Sequence, residues 1–226
     1  MRESVRHHFD ASLVELKEGT IHMAGLVLEN IHRTSEAILE NRLDLVERVI
    51  SADDEVDRRY AALEQQLFEV VARQQPVAGD LRFLISLARM LHEVERCGDL
   101  AVNTAKALDR AAGFQLPGGL RGMLSRLCRD AAGLFAEAID ALADLDGAAG
   151  EALDARDDVV DELVDQLMAA LLGGQGDIPL DVALELALVA RYMERIADHG
   201  VNVGDHVSYI VTGNFPQHRR LPLARG

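Results

Sequence analysis

EVERCGDLAVN (residues 93–103) and YMERIADHGVN (192–202) are two versions of one pattern, 99 positions apart. Each carries Glu-Arg-x-x-Asp and then an Asn four residues on. A second pair of stretches precedes them: SADDEVDRRY (51–60) and ARDDVVDELV (155–164), 104 positions apart. The chain is therefore a duplication. Its unit is helical, because apolar residues recur every three or four positions through and around these stretches.

Working outward, Phe9, Leu13, Leu16, Thr20, Met23, Val27, Ile31, Thr34 and Ile38 predict one long amphipathic helix over about 3–39. Leu45, Val49, Val56, Tyr60, Leu63, Leu67 and Val70 predict a second over 43–74. QQPVAGD (74–80) interrupts the pattern with Pro76 and Gly79, and a third helix follows to Leu108. AAGFQLPGG (111–119) reads as the linker. Beyond it come helices over about 120–145 and 151–172, the turn GGQGDIP (173–179), and a sixth helix capped by Asp177 with Pro179 in its first turn. Strand patterns are hard to find. The expected fold is all-α: two tandem antiparallel three-helix bundles, residues 1–112 and 118–213, with a disordered tail over 214–226.

Composition narrows the function. Lysine and arginine number 23 and acids 38, a net charge of −15. Nucleic-acid binding is excluded as the main role, since it needs a basic face. Anionic lipid is disfavoured for the same reason. No apolar run is long enough to span a membrane, and the N-terminus has no apolar signal region, so the expectation is a cytoplasmic protein without membrane insertion. Cys97 and Cys128 form no CxxC and read as free thiols in a reducing compartment. Neither a phosphate-cradling Gly-rich loop nor a nucleophile–base constellation is present. Glu29 and His32 make a single ExxH, where a di-iron oxidase of the ferritin kind needs two.

The acids carry the chemistry. Each half has two pairs spaced four apart, which share a helix face: Asp53/Asp57 and Glu95/Asp99, then Asp157/Asp161 and Glu194/Asp198. Across an antiparallel hairpin, level residues are equidistant from the turn. Asp53 is level with Asp99, and Asp57 with Glu95, about a midpoint at Pro76. Asp157 is level with Asp198, and Asp161 with Glu194, about a midpoint inside GGQGDIP. The second hairpin is shorter than the first, yet the acids still align about its turn. Four converging carboxylates need countercharge or must stay protonated. An all-oxygen set suits a hard cation such as Mg, Mn, Fe or Ca. The competing reading is a solvated acidic face neutralised by Arg58, Arg59, Arg96 and Arg195. Asn103 and Asn202, one turn beyond, fit either a carbonyl ligand or a bridge within the bundle. Asp205, His199 and His206 have no counterparts in the first half (Lys106, Leu100 and Ala107 stand there), which sets them apart from the repeated cluster.

QQPVAGDLRFLISLARMLHEVERCGDLAVNTAKAL (74–108), the ER-x-x-D-H-x-x-N of 194–202, and the ADDEVD and RDDVVD motifs resemble the signature stretches of the PhoU family. The resemblance runs from about residue 2 to 213. It implies two three-helix bundles and multinuclear metal clusters, often iron or zinc, on repeated E(D)xxxD motifs. Those motifs fall here on Asp53, Asp57, Glu95, Asp99, Asp157, Asp161, Glu194 and Asp198. It further implies a non-enzymatic cytoplasmic regulator that links a phosphate ABC transporter, through its ATPase subunit, to a sensor histidine kinase and keeps the phosphate-starvation response off. Cys97, where the family often has Ile or Met, and the Gly-rich second turn depart from the pattern without touching the acids. A metal-dependent hydrolase acting on a phosphate-containing metabolite is the alternative, and a homodimer is left open.

Overall fold

A computed structural model describes residues 2–173 and 178–214. Six long helices follow one another: α1 (Arg2–Glu40), α2 (Val46–Gln74), α3 (Ala78–Arg110), α4 (Gly118–Asp144), α5 (Ala149–Leu172) and α6 (Leu180–Thr212), with a 3₁₀ turn (Leu43–Leu45) leading into α2. No strand occurs among the described residues, so the all-α expectation holds.

Local chemistry ends the helices where the sequence breaks its period. Asn41 adopts a positive φ of 55° after α1. Its side-chain oxygen accepts the backbone N–H of Phe114 at 2.7 Å, which ties the end of α1 to the 111–117 connection. Gln75 takes the left-handed conformation after α2, and its N–H bonds back to the carbonyl of Val71. Pro76 then prevents any continuation. Gly213 does the same after α6 at φ 79°. Residues 174–177, with the expected Asp177 cap, lie outside the described residues, as does the tail beyond Asn214; the residue flanking α6 is Pro179.

α1, α2 and α3 pack as one three-helix unit, and α4, α5 and α6 as another. The two units are not beads on a string. α3 lies along α6, and α1 along α4, so one apolar core runs through both halves. Leu16, Met23, Val27, Ile31, Leu84, Leu87, Leu124, Phe135, Val189 and Met193 are all fully buried in it. The stretch 111–117, read as a linker, is packed too, with Phe114 buried. α3 and α6 run antiparallel: Arg82 meets Ile210, Glu93 meets His199, Cys97 meets Ile196, and Arg110 meets Glu185. Two consequences follow from that direction. The α2–α3 and α5–α6 turns point to opposite ends of the molecule, and α2 and α5 stand on the outer flanks.

Candidate metal centre

The candidate acids lie along two grooves, α2 against α3 and α5 against α6. Both grooves are set by the antiparallel hairpins that place Val56 with Val94, and Val160 with Met193, in the buried seam. Buried Val56, Val94, Val160, Met193 and Ala197 directly precede Asp57, Glu95, Asp161, Glu194 and Asp198 and put these acids at the edge of the core; Asp53, Glu95, Asp99, Asp157 and Glu194 are partly out of water, and Asp57, Asp161 and Asp198 are exposed.

The electrostatics show which acids meet. Burial, then Asp57, Asp99 and Glu95, push Asp53 up to about 6. Burial and Asp99 raise Glu95 above its ordinary value, with Asp57 adding to the rise. In the second half, burial, then Asp198 and Asp161, push Asp157 up to about 7. Asp161 is raised by burial and then by Glu194. Asp198 is raised by burial and then by Asp161 and Glu194. Burial is the leading cause at each of these acids, and the facing carboxylates add to it, which sets the acids of each half close enough to repel one another. The structure thus brings together the partners that the spacing about each turn predicts.

The arginines neutralise only part of this charge. Arg58 and Arg59 both turn to Glu55, each at 2.7 Å, away from the cluster. Arg96 holds Asp99 at 2.6 Å. Arg191 holds Glu194 at 2.6 Å. Among the described residues no lysine or arginine pairs with Asp53, Asp57, Asp157, Asp161 or Asp198. The Oδ1 of Asp157 is buried and finds no hydrogen-bond partner among the described residues, a costly state for a carboxylate oxygen that a cation would relieve. As they stand, no three His, Cys, Asp or Glu side chains among the described residues form a ready ligand set.

The halves differ in detail. In the first, the Asp53 carboxylate lies directly on α3 at Gly98, where a β-carbon would stand 2.8 Å from its Oδ1. In the second, buried Ala197 takes that place. Asp157 and Asp198 also open into a polar cleft of about 390 Å³ lined by Asp154, Arg195, His199, Asn202 and Asp205. His199 and Asp205, set apart from the cluster for want of counterparts, are therefore neighbours of it, and Asp154 joins them.

A second network was invisible within either hairpin. Glu93 of α3 reaches across to α6, where its Oε2 accepts from Asn202 Nδ2 at 3.0 Å and lies 2.5 Å from His199 Nδ1. Burial raises the Glu93 carboxyl, but the bonds from His199 and Asn202 more than offset it and hold it below its ordinary value. Asn202 thus bridges the two halves. The Nε2 of His199 is buried and finds no partner among the described residues. The one signal for this network in the sequence is that Glu93 has no acidic counterpart, Tyr192 standing in its place.

Fold and groove together define a class: a duplicated helical-bundle protein with a paired-carboxylate cluster in each repeat. The chain belongs to the PhoU family. The PhoU domain model matches residues 20–108 and 124–207, one copy in each half. A "Phosphate-specific transport system accessory protein PhoU homolog" of Synechocystis is 32% identical over 210 residues, covering 92% of this chain and 93% of that protein. The Deinococcus radiodurans protein of the same description is 35% identical over 215 residues, covering 93% and 99%. The crystal structure of PhoU from Pseudomonas aeruginosa superposes with a TM-score of 0.85 at 25% identity, over 91% of this chain and 100% of that one. The phosphate transport system regulatory protein PhoU of Streptococcus pneumoniae shares the fold, with a TM-score of 0.84 at 23% identity over 92% and 99%.

Proposed function

We propose that this protein is an accessory regulator of phosphate uptake: a non-enzymatic cytoplasmic adaptor between a phosphate ABC transporter, at its ATPase subunit, and a sensor histidine kinase. The observation that carries the reading is the full-length likeness to accessory proteins of phosphate-specific transport systems. No described helix is long and apolar enough to cross a membrane, which fits an accessory role beside a membrane complex.

Within that role, each repeat holds metal ions through its four carboxylates: Asp53, Asp57, Glu95 and Asp99, and Asp157, Asp161, Glu194 and Asp198. The support is the elevation of Asp53, Glu95, Asp157, Asp161 and Asp198 by burial and by their facing acids, the shortage of arginine partners, and the Asp157 Oδ1 that finds no partner among the described residues. Oxygen donors alone suit Mg or Mn. His199 lines the second groove with Nδ1 set against Glu93, and its Nε2 adds a nitrogen donor that suits iron or zinc. Bound cations would replace repulsion across each hairpin with a clamp.

Two experiments test the reading. Deleting the gene should raise expression of phosphate-starvation genes in phosphate-rich medium; unchanged expression refutes the regulatory role. Protein purified without oxygen should carry metal by elemental analysis, and an Asp99→Ala/Asp198→Ala variant should carry far less. Equal metal content in the two would refute the assigned ligands.

A further inference from the structure

Between the acids and its turn, the α5–α6 hairpin carries exposed apolar side chains. Leu180, Leu184 and Leu188 stand four residues apart on one face of α6, and Leu172 ends α5 level with Ala183, next to Leu184. None is covered: Leu172 is 90% exposed, Leu180 76%, Leu184 59% and Leu188 41%. Single exposed leucines are ordinary, but four exposed on one hairpin, three of them in a stripe along α6, are of the kind that marks an interaction surface. The first repeat carries the same device in reduced form. Phe68 and Ile85 occupy the positions equivalent to Leu172 and Leu184 and are 58% and 48% exposed. Arg89 replaces Leu188 there, so the second tip is the more apolar of the two.

Charge selects the occupant. α5 and α6 together carry twelve acids against three arginines and no lysine. Exposed Asp165 and Asp181 flank the leucines, and Glu185 beside them is tied to Arg110. The nearest arginine on these helices, Arg191, is already held by Glu194. A second copy of the chain would bring a like-charged rim onto this one, with −15 on each molecule. An anionic bilayer is repelled for the same reason. A helix with one leucine-rich face and basic flanks fits both the apolar stripe and its acidic border.

We infer that the α5–α6 tip, centred on Leu172, Leu180, Leu184 and Leu188, docks a basic amphipathic helix of a partner protein. The inference rests on the accessory-protein reading for the partner being a protein, and on the surface alone for its chemistry. The probe is a synthetic leucine–lysine peptide of about five helical turns with its leucines on one face, beside an isomer of the same composition with leucines spread around the helix. Fluorescence anisotropy at physiological salt should show the parent protein preferring the amphipathic peptide by at least about tenfold. Leu184→Glu/Leu188→Glu should lose at least about tenfold in affinity, and Leu172→Glu, the most exposed site, should weaken binding alone. Phe68→Glu/Ile85→Glu should bind as the parent does. Equal affinity for the two peptides, or equal affinity of parent and tip variants, overturns the inference. So does self-association of the parent that the tip variants abolish, or binding to phosphatidylserine vesicles lost in the same variants. Asp99→Ala/Asp198→Ala should keep peptide binding, and a null deletion phenotype leaves the peptide result standing, so failure of the functional reading and failure of this surface are read separately.

Discussion

Replacing Asp157 by Asn should stabilise the metal-free protein, and only above acid pH. Burial and the facing carboxylates push Asp157 from 3.8 to about 7. Between about pH 4 and 7 the native carboxyl keeps a proton that the unfolded one has lost. Native stability therefore falls as pH rises through that window, and the loss is complete above it. Some three pH units correspond to about 4 kcal/mol at 1.36 kcal/mol per unit. The groove is open to water along one side, and screening brings this to about 2 kcal/mol. The variant cannot ionise, so at pH 8 in chelator it should melt roughly 4–8 °C above the parent for a chain of this size. That advantage should shrink toward zero near pH 4. Thermal melts by circular dichroism across pH 4–8 read the effect directly. A variant equal to or less stable than the parent at pH 8, or one whose advantage ignores pH, would refute the crowded-carboxylate account. Adding a divalent cation should reverse the order, because the proposed ligation then favours the parent over the variant.

Three further outcomes follow from the geometry. Gly98→Ala should leave stability within about 1 kcal/mol, since helix propensity favours alanine while the clash at 2.8 Å is with a movable carboxylate. It should nonetheless weaken metal binding in the first repeat alone, measured by titration of an Asp198→Ala background. Glu93→Ala strips His199 and Asn202 of their shared acceptor and should cost about 1–2 kcal/mol in urea denaturation. A double-mutant cycle with His199→Ala should show coupling above about 0.5 kcal/mol, and additivity would break the proposed bridge. Cys97 and Cys128 are fully buried, and burial pushes the Cys128 thiol up to about 12 and raises Cys97 well above its ordinary value. Neither should react with a thiol reagent until the protein unfolds; rapid modification of folded protein would contradict their burial.

Much of this architecture was legible residue by residue. Runs such as Leu16–Met23–Val27–Ile31 put the fully buried large side chains of α1 on one stripe, and a stripe of that period can be buried only as a helix. Pro76 breaks the period where the first turn falls, and Gly173 breaks it where α5 ends. The acids on facing helices were paired by counting from those turns, because an antiparallel hairpin makes height a function of residue number. Counting stops at the hairpin. Nothing in the spacing says that α3 lies antiparallel on α6, so the contact of Glu93 with His199 and Asn202 could not be read in advance. The same blindness set Asp205 and His199 apart from a cleft that they line with Asp157 and Asp198.

Periodicity and duplication, both local properties, were enough to specify six helices, two repeats and two level sets of four carboxylates. Docking one repeat on the other is a choice among apolar faces that all look alike in one dimension, and packing makes that choice. It places α3 and α6 at the centre and sends the two hairpin tips to opposite ends. It also settles which surface residues become interior neighbours, joining α3 to α6 through Glu93 and leaving the leucines of the second tip in water.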